Sequence, residues 1–193
     1  MYDGKLVRLR AVEPEDAEHA FRWINDREVT QYLMARYPIS LASEKDWATK
    51  GSVSNSFEDS RYIIEALADG APIGVCGLHH VSPENRVGDL GIMIGEKRFW
   101  SQGYGTDAML TLMRLGFYQM NLHKITLGVF EINPRAQAVY TKVGFTLEGR
   151  GREEYYQDGR YLDVIRMGVL RREFEARYPP SEVGNMANSI AGA

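Results

Sequence analysis

Apolar positions along this chain recur in two periods, and the change from one to the other divides it into segments. Residues 6–9 alternate weakly and predict a first strand. The run Glu13-Pro14-Glu15-Asp16 then puts proline and acids where helices begin, and Ala17, Ala20, Phe21 and Ile24 continue as one apolar face. A short helical turn is expected over 26–33, a loop over 38–40, and a further helix with Ser43 as its N-cap. Strand-like runs follow. Residues 61–67 and 72–81 read as strands joined through Asp69-Gly70, a strong hairpin signal, and 87–94 reads as a third strand after a polar turn at 82–86. The chain therefore runs from helices into an antiparallel meander.

Beyond residue 94 the two periods alternate. Met109, Leu112, Met113, Gly116, Phe117 and Met120 fall at i, i+3, i+4 spacing, which predicts an amphipathic helix over 109–120 with its methionines in the core. A strand is expected over 124–129 and a helix over 133–143, with a second hairpin from 145–156 and 161–169 around Asp158-Gly159. Asn133 as N-cap, Pro134 at the first helical position and Gly144 just past the end bracket that helix tightly. Residues 179–193 open on Pro179-Pro180 and continue small and polar, so they read as a flexible tail behind a single domain over 1–178.

Composition narrows the classes. A chain of 193 residues, 44% hydrophobic and 25% charged, suits one domain with a substantial core. A net charge of -3 argues against a nucleic-acid partner held by a broad basic field. No apolar run approaches the ~20 residues that a membrane span needs. The single cysteine, Cys76, cannot close an internal disulfide, and the charged, polar opening Met1-Tyr2-Asp3-Gly4-Lys5 is unlike a signal peptide. A reducing cytoplasm fits both.

The chemistry concentrates in two stretches. Trp100-Ser101-Gln102-Gly103-Tyr104-Gly105-Thr106-Asp107-Ala108 lies between a strand and a helix, where unpaired N–H groups and the positive end of the helix dipole form a seat for phosphate. Gly103 and Gly105 would let that backbone bend and approach a bulky anion, although the pair is equally compatible with a plain tight turn. No Lys-Ser/Thr follows, so it is not a P-loop, and the next strand carries no acid for a Rossmann ribose. In the second stretch Asn133, Ala136, Gln137 and Tyr140 share one helix face that spans roughly 10 Å, the reach of an extended ligand arm. Tyr140 also reads as a core aromatic with its hydroxyl on backbone. His79-His80 point to opposite strand faces and cannot grip one metal together. Cys76 reads as a small buried residue, and Arg150 to Glu154 as a solvated strand face.

Together, W-S-Q-G-Y-G-T-D-A and N-P-R-A-Q-A-V-Y-T-K-V-G-F resemble the two acetyl-CoA motifs of the GNAT superfamily of N-acetyltransferases. Residues 22–29, 155–161 and 164–167 resemble its branch of ribosomal-protein-alanine and polyamine (spermidine or diamine) acetyltransferases, and the likeness covers about 4–175 in the family's order. The resemblance implies an α/β GNAT fold, a mixed twisted sheet, mainly antiparallel on its N-terminal side, with helices on both faces. It implies acetyl-CoA as co-substrate and no metal. Gln102, Gly103, Tyr104, Gly105 and Thr106 would hold the pyrophosphate, the backbone of Ile92, Met93 and Ile94 would pair with the pantetheine arm, and Asn133 and Arg135 would contact the cofactor further along. Such pairing would need 87–94 to part from 124–129. Trp100 stands where the family's glycine motif, Q/R-x-x-G-x-G/A, starts with a polar residue.

The reaction implied is direct acetyl transfer in a ternary complex. Tyr140 matches the family's proton donor, and Asp89 sits where the branch often has a carboxylate, a candidate base that reads equally as an exposed strand-edge acid. An N–H near Met93 or Ile94 would stabilise the oxyanion. The substrate would be a small-molecule amine or a peptide N-terminus. Asp26, Glu28, Glu44 and Asp46 make the amine side acid-rich, which suits a polyamine. A homo-oligomer is left open. Two other classes compete: a non-catalytic acyl-CoA sensor on the same fold, and a nucleotide-binding regulatory module.

Overall fold

A computed structural model describes residues 1–35, 37–53 and 55–179; from Pro180 onward the expected tail lies outside the described residues. Strands β1 (Tyr2–Asp3), β2 (Val7–Arg10), β3 (Ser60–Ala66), β4 (Pro72–Ser82) and β5 (Val87–Ile94) follow one another antiparallel in one sheet. β6 (Lys124–Phe130) joins β5 in parallel, and β7 (Thr146–Gln157) and β8 (Arg160–Leu170) complete the order β1-β2-β3-β4-β5-β6-β8-β7. The sheet is mixed, with one parallel pairing among these strands.

Helices cover both faces. On one, α4 (Tyr104–Arg114) packs on β2, β4 and β5 and buries Leu112 and Met113 against Leu78 and Ile125, all 0% exposed. On the other, α1 (Ala17–Ile24) lies against α3 (Leu41–Val53), with Ala17 and Ala48 closing over Val12 and Ile63. α2 (Arg27–Thr30) follows α1 directly, α5 (Pro134–Val143) flanks α4, and α6 (Arg171–Arg177) ends the described fold.

Local expectations hold where local forces decide. The turn at 82–86 and strand Val87–Ile94 lie where the pattern puts them, and Asn133 and Gly144 bracket α5, with Gly144 at φ +116°. Three details differ. The buried tryptophan Trp23, rather than Phe21 or Ile24, completes the face of Ala17 and Ala20. Its ring lies over Gly95, where a Cβ would sit 2.1 Å from the indole, and Nε1 donates to Glu96 Oε1 at 2.9 Å. α3 is capped by Ser40, not Ser43: the Ser43 N–H donates to Ser40 Oγ at 3.1 Å, so the helix starts at Leu41. α4 begins at Tyr104, well before Met109, and its regular part stops at Arg114. A wider turn over Leu115–Gln119 follows, closed by Met120 N–H on the Leu115 carbonyl at 3.0 Å.

The early start of α4 has a tertiary cause. Asp107 in its first turn is buried and accepts from the N–H groups of Leu6 (2.7 Å) and Val7 (3.1 Å). Hydrogen bonds to a buried carboxylate are worth more than neutral ones, and they tie the N-terminal strands to the start of α4.

Candidate active site

β5 and β6 pair only at Val87↔Lys124, Gly88↔Ile125 and Asp89↔Thr126. Beyond Asp89 they part. β5 stays with β4 as far as Gly74↔Ile94, while β6 follows β8 as far as Phe130↔Val164. Phe130 is drawn into a separate cluster with Tyr155, Leu162 and Val164, which carries the end of β6 away. The stretch from Leu90 to Ile94 therefore turns an open strand edge toward a wedge-shaped gap. Unpaired strand N–H and C=O groups are a template for an extended ligand.

The start of α4 forms one side of the gap. Gly103 is its N-cap at φ +92°, a conformation that side chains with a Cβ rarely adopt, and the first bond of the helix runs from Asp107 N–H to the Gly103 carbonyl at 2.9 Å. The N–H groups of Tyr104, Gly105 and Thr106 thus lack helical partners, and the helix dipole adds positive potential there. Trp100 anchors the preceding loop: its Nε1 donates to the Ile94 carbonyl at 2.8 Å, tying the loop to the end of β5. This contact gives a structural role to the residue that replaces the usual polar one.

α5 forms the facing wall. Asn133 caps it by accepting from the Ala136 N–H at 3.1 Å, Ala136 and Val139 give an apolar surface, and Arg135 and Lys142 stand near the opening with no carboxylate partner among the described residues. Tyr140 lies between, its ring 6.1 Å from that of Phe145. Burial pushes its phenol above the ordinary value, and its hydroxyl makes no hydrogen bond among the described residues. The cavity, open to solvent, measures about 420 Å³. An apolar slot, an open strand edge, free N–H groups and two unpaired cations together suit a long ligand carrying phosphates.

A family model described as an acetyltransferase (GNAT) domain matches residues 7–146. The chain belongs to the GNAT acetyltransferases. Over 178 residues it is 27% identical to the spermidine N(1)-acetyltransferase of Escherichia coli K12, covering 92% of this chain and 93% of that one. Over 175 residues it is 27% identical to the uncharacterized N-acetyltransferase p20 of Bacillus licheniformis, with 90% and 97% covered. The crystal structure of Vibrio cholerae spermidine N-acetyltransferase in complex with CoA and spermine matches with a TM-score of 0.79 at 28% identity, covering 88% of this chain and 98% of that one. As a GNAT enzyme the chain uses acetyl-CoA as co-substrate.

Of the residues expected at the cofactor site, Ile92, Ile94, Gly103, Gly105, Thr106, Asn133 and Arg135 line this cavity. Gln102 turns its amide back to the Arg98 carbonyl, and the Tyr104 ring packs edge-on against Phe99 at 4.8 Å, so these two offer the gap their backbone. Gly105 is helical, and a Cβ there would only touch Ile94 Cγ1 at 3.4 Å. The left-handed backbone of this turn lies at Ser101 (φ +62°) and Gly103 (φ +92°), while Gly105 keeps the cavity clear. Leu90, Ile92 and Ile94 face the α4 core, so alternation puts Asp89, Gly91 and Met93 on the opposite face. Asp89 is exposed at the last paired rung, its carboxylate accepting from Thr126 Oγ1 and lying 3.5 Å from His80 Nδ1; it does not line the cavity.

The wall that sequence reasoning missed is α2 and the turn after it. Glu28, Val29, Gln31 and Tyr32 close the gap opposite α5. Of these, Glu28 was already expected on the amine side, Val29 carried only the likeness of 22–29 to the family's N-terminal signature, and Gln31 and Tyr32 carried no signal of their own. The acids expected there are engaged. Asp26 and Glu28 hold Lys97 at 2.9 and 2.8 Å, and Asp46 holds Lys50 at 2.6 Å. Glu44 is half-buried, and burial raises its carboxyl. His79 bonds to Asp59 while His80 stays exposed, and no group of His, Cys, Asp and Glu able to hold a metal occurs among the described residues. In the run from Arg150 to Glu154, Arg150 pairs with Glu131 and Asp163, and Glu154 with Arg166. No helix among the described residues is long and apolar enough to cross a membrane.

Proposed function

We propose that the enzyme moves an acetyl group from acetyl-CoA to a primary amine, a diamine or polyamine or a protein N-terminus, by direct transfer in a ternary complex. The observation that carries this reading is the Tyr140 hydroxyl, unpartnered among the described residues inside a gap bounded by an open strand edge and a helix N-terminus. Acetyl-CoA supplies a thioester carbonyl that an amine can attack. The N–H groups from Gly103 to Thr106 hold its diphosphate, Arg135 and Lys142 add positive charge, and the edge from Leu90 to Ile94 orients the pantetheine arm, with Asn133 ending that wall. Placing the amine and thioester side by side supplies much of the acceleration.

The amine enters between α2 and the end of β5. It must be neutral when it attacks, although free alkylammonium groups titrate near ~10. Asp89 takes that proton through water from the far side of the strand opening. The nitrogen then bonds to the carbonyl carbon, an N–H at Met93 or Ile94 steadies the oxyanion, the nitrogen releases its second proton to water, and the carbon–sulfur bond breaks to give the amide and a thiolate that takes up one proton. Tyr140 donates to the departing sulfur. A thiol near ~8.5 is a stronger acid than a phenol near ~10, so complete transfer lies uphill by about 2 kcal/mol before the effect of burial. Tyr140 therefore acts mainly by holding a hydrogen bond to the sulfur while the C–S bond stretches.

An acetyl-cysteine route is disfavoured. Cys76 is buried at 4% exposure, and burial pushes its thiol up, away from the reactive thiolate. Steady-state rates with both substrates varied test the proposal. Intersecting double-reciprocal lines are expected, and parallel lines would reject direct transfer. Calorimetry showing no coenzyme A binding would reject the whole reading.

A further inference from the structure

The face of β5 turned away from α4 carries Asp89, Gly91 and Met93 in turn, and the middle position has no side chain. The space above it is filled from the neighbouring strand. His79 on β4 lies on the same face, and its ring spreads over two glycines paired across the strands, Gly77 and Gly91. A Cβ at Gly77 would stand 2.7 Å from His79 Cε1 and 2.9 Å from Nε2, and one at Gly91 would stand 3.3 Å from Cδ2 and Nε2. The other ring nitrogen is tied down. Nδ1 lies 2.5 Å from Asp59 Oδ1, and Asp59 is held in turn by Arg61 at 2.6 Å. An ionised carboxylate only accepts, so Nδ1 carries the hydrogen of the neutral ring and Nε2 keeps its lone pair. Nε2 makes no hydrogen bond among the described residues.

We propose that His79 is the proton relay of the acetyl transfer, taking the amine's proton on Nε2 and passing it on toward Asp89, with Asp59 as the residue that positions the ring. This rests on the reading that the amine attacks beside Met93 and that its proton ends on Asp89. Along a strand those two residues stand about 13 Å apart, four steps of ~3.3 Å, too far for a single bridging water. The ring over Gly91 halves that distance and leaves spans that one water and the flanking groups cover. Acidity favours the same path. An alkylammonium near ~10 gives its proton to a carboxylate near ~3.9 with an equilibrium constant of about 10⁻⁶, whereas an imidazole near ~6.5 accepts it roughly 400-fold more readily. The hydrogen on Nδ1 stays toward Asp59, whose charge stabilises the imidazolium while it lasts. Nε2 then releases the proton through water to Asp89, and the ring is neutral again for the next turnover.

Coenzyme A release from acetyl-CoA is followed at about pH 8 with 1,4-diaminobutane and with an alanyl peptide, in wild type, His79→Asn and His79→Ala. The asparagine amide can still donate to Asp59 but has nothing in place of Nε2. His79→Asn should keep the Kd for coenzyme A within about threefold and lower kcat by about 10²–10⁴, the usual share of a general base. The loss should be larger for diaminobutane than for the peptide, whose α-amine titrates near ~8 and gives up its proton more easily. In His79→Ala, added imidazole should occupy the place over Gly77 and Gly91 and restore the rate saturably, by about tenfold or more, with no effect on wild type. A kcat for His79→Asn within about threefold of wild type overturns the proposal, as does a loss that coenzyme A binding shares, which would make the His79–Asp59 pair structural. Failure of wild type to turn over either amine counts against acetyl transfer itself and is read separately. Nitrogen NMR of wild type at about pH 8, with His79 assigned by its absence from His79→Asn, then decides the relay alone: hydrogen on Nδ1 with a bare Nε2 is required, and hydrogen on Nε2 overturns it even where no amine reacts.

Discussion

Gly105→Ala separates the two duties a glycine can have in the phosphate-binding turn. The position is helical, and the added Cβ would meet only Ile94 Cγ1 at 3.4 Å, an ordinary contact. Alanine lowers the entropy lost on folding and favours helix by up to ~1 kcal/mol, less in a first turn. At 2–4 °C per kcal/mol for a chain of this size, Tm should rise by about 1–3 °C. The methyl group nevertheless stands in the cavity, beside the N–H groups of Tyr104, Gly105 and Thr106. A diphosphate pushed outward there weakens hydrogen bonds to charged oxygens worth about 1.5–3 kcal/mol each. Loss of one such bond raises the Kd for coenzyme A by roughly 10- to 100-fold. The variant should thus be more stable and bind less. Thermal melts of the free protein and calorimetric titration with coenzyme A read the two quantities independently. An affinity within twofold of wild type would mean that the diphosphate does not lie on this turn, and the assignment would fail.

The neighbouring glycine should behave the other way: Gly103→Ala, at φ +92°, is expected to cost about 1–2 kcal/mol, seen as a lower urea midpoint without ligand, and an unchanged midpoint would contradict the strained N-cap. Tyr140→Phe should lower kcat by about 10²–10³ while the Kd for coenzyme A stays within threefold; a collapse of affinity instead would make the hydroxyl a binding group. With burial holding the Tyr140 phenol above its ordinary value, log kcat/KM for a primary amine should climb with pH toward ~10, and a fall between about pH 8 and 9 would remove Tyr140 as the proton donor. Lys97 hydrogen-bonds Asp26 and holds its carboxyl below the usual range. A depressed carboxyl stabilises the fold above its unfolded value near ~3.9 and loses that contribution as pH falls through its folded value. The stability difference between wild type and Lys97→Met should therefore be flat from about pH 5 to 8 and shrink below about pH 4, as urea melts would show.

Much of the fold was legible because the signals are local. The Asp69-Gly70 turn, strand Val87–Ile94 and the caps of α5 depend on neighbours a few residues away, and the structure keeps them. The two family motifs fall on the loop and the helix that border the cavity. The misread details are those where several nearby residues were equally acceptable. Trp23 displaced Phe21 and Ile24 because Gly95 and Glu96, distant in sequence, fit an indole. Ser40 displaced Ser43 as the cap, and Asp107 pulled the start of α4 forward by binding Leu6 and Val7.

The sequence by itself determined the order of elements, the turn chemistry and the kinship, since backbone preference and side-chain period act within one or two turns of the chain. Only the tertiary structure decided where β5 leaves β6, that α2 closes the cavity and that Lys97 satisfies Asp26 and Glu28. Each joins positions far apart in the chain, and each is set by which partner satisfies a buried or charged group once the sheet has assembled. No periodicity records such a choice, because its energy exists only after the distant pieces meet.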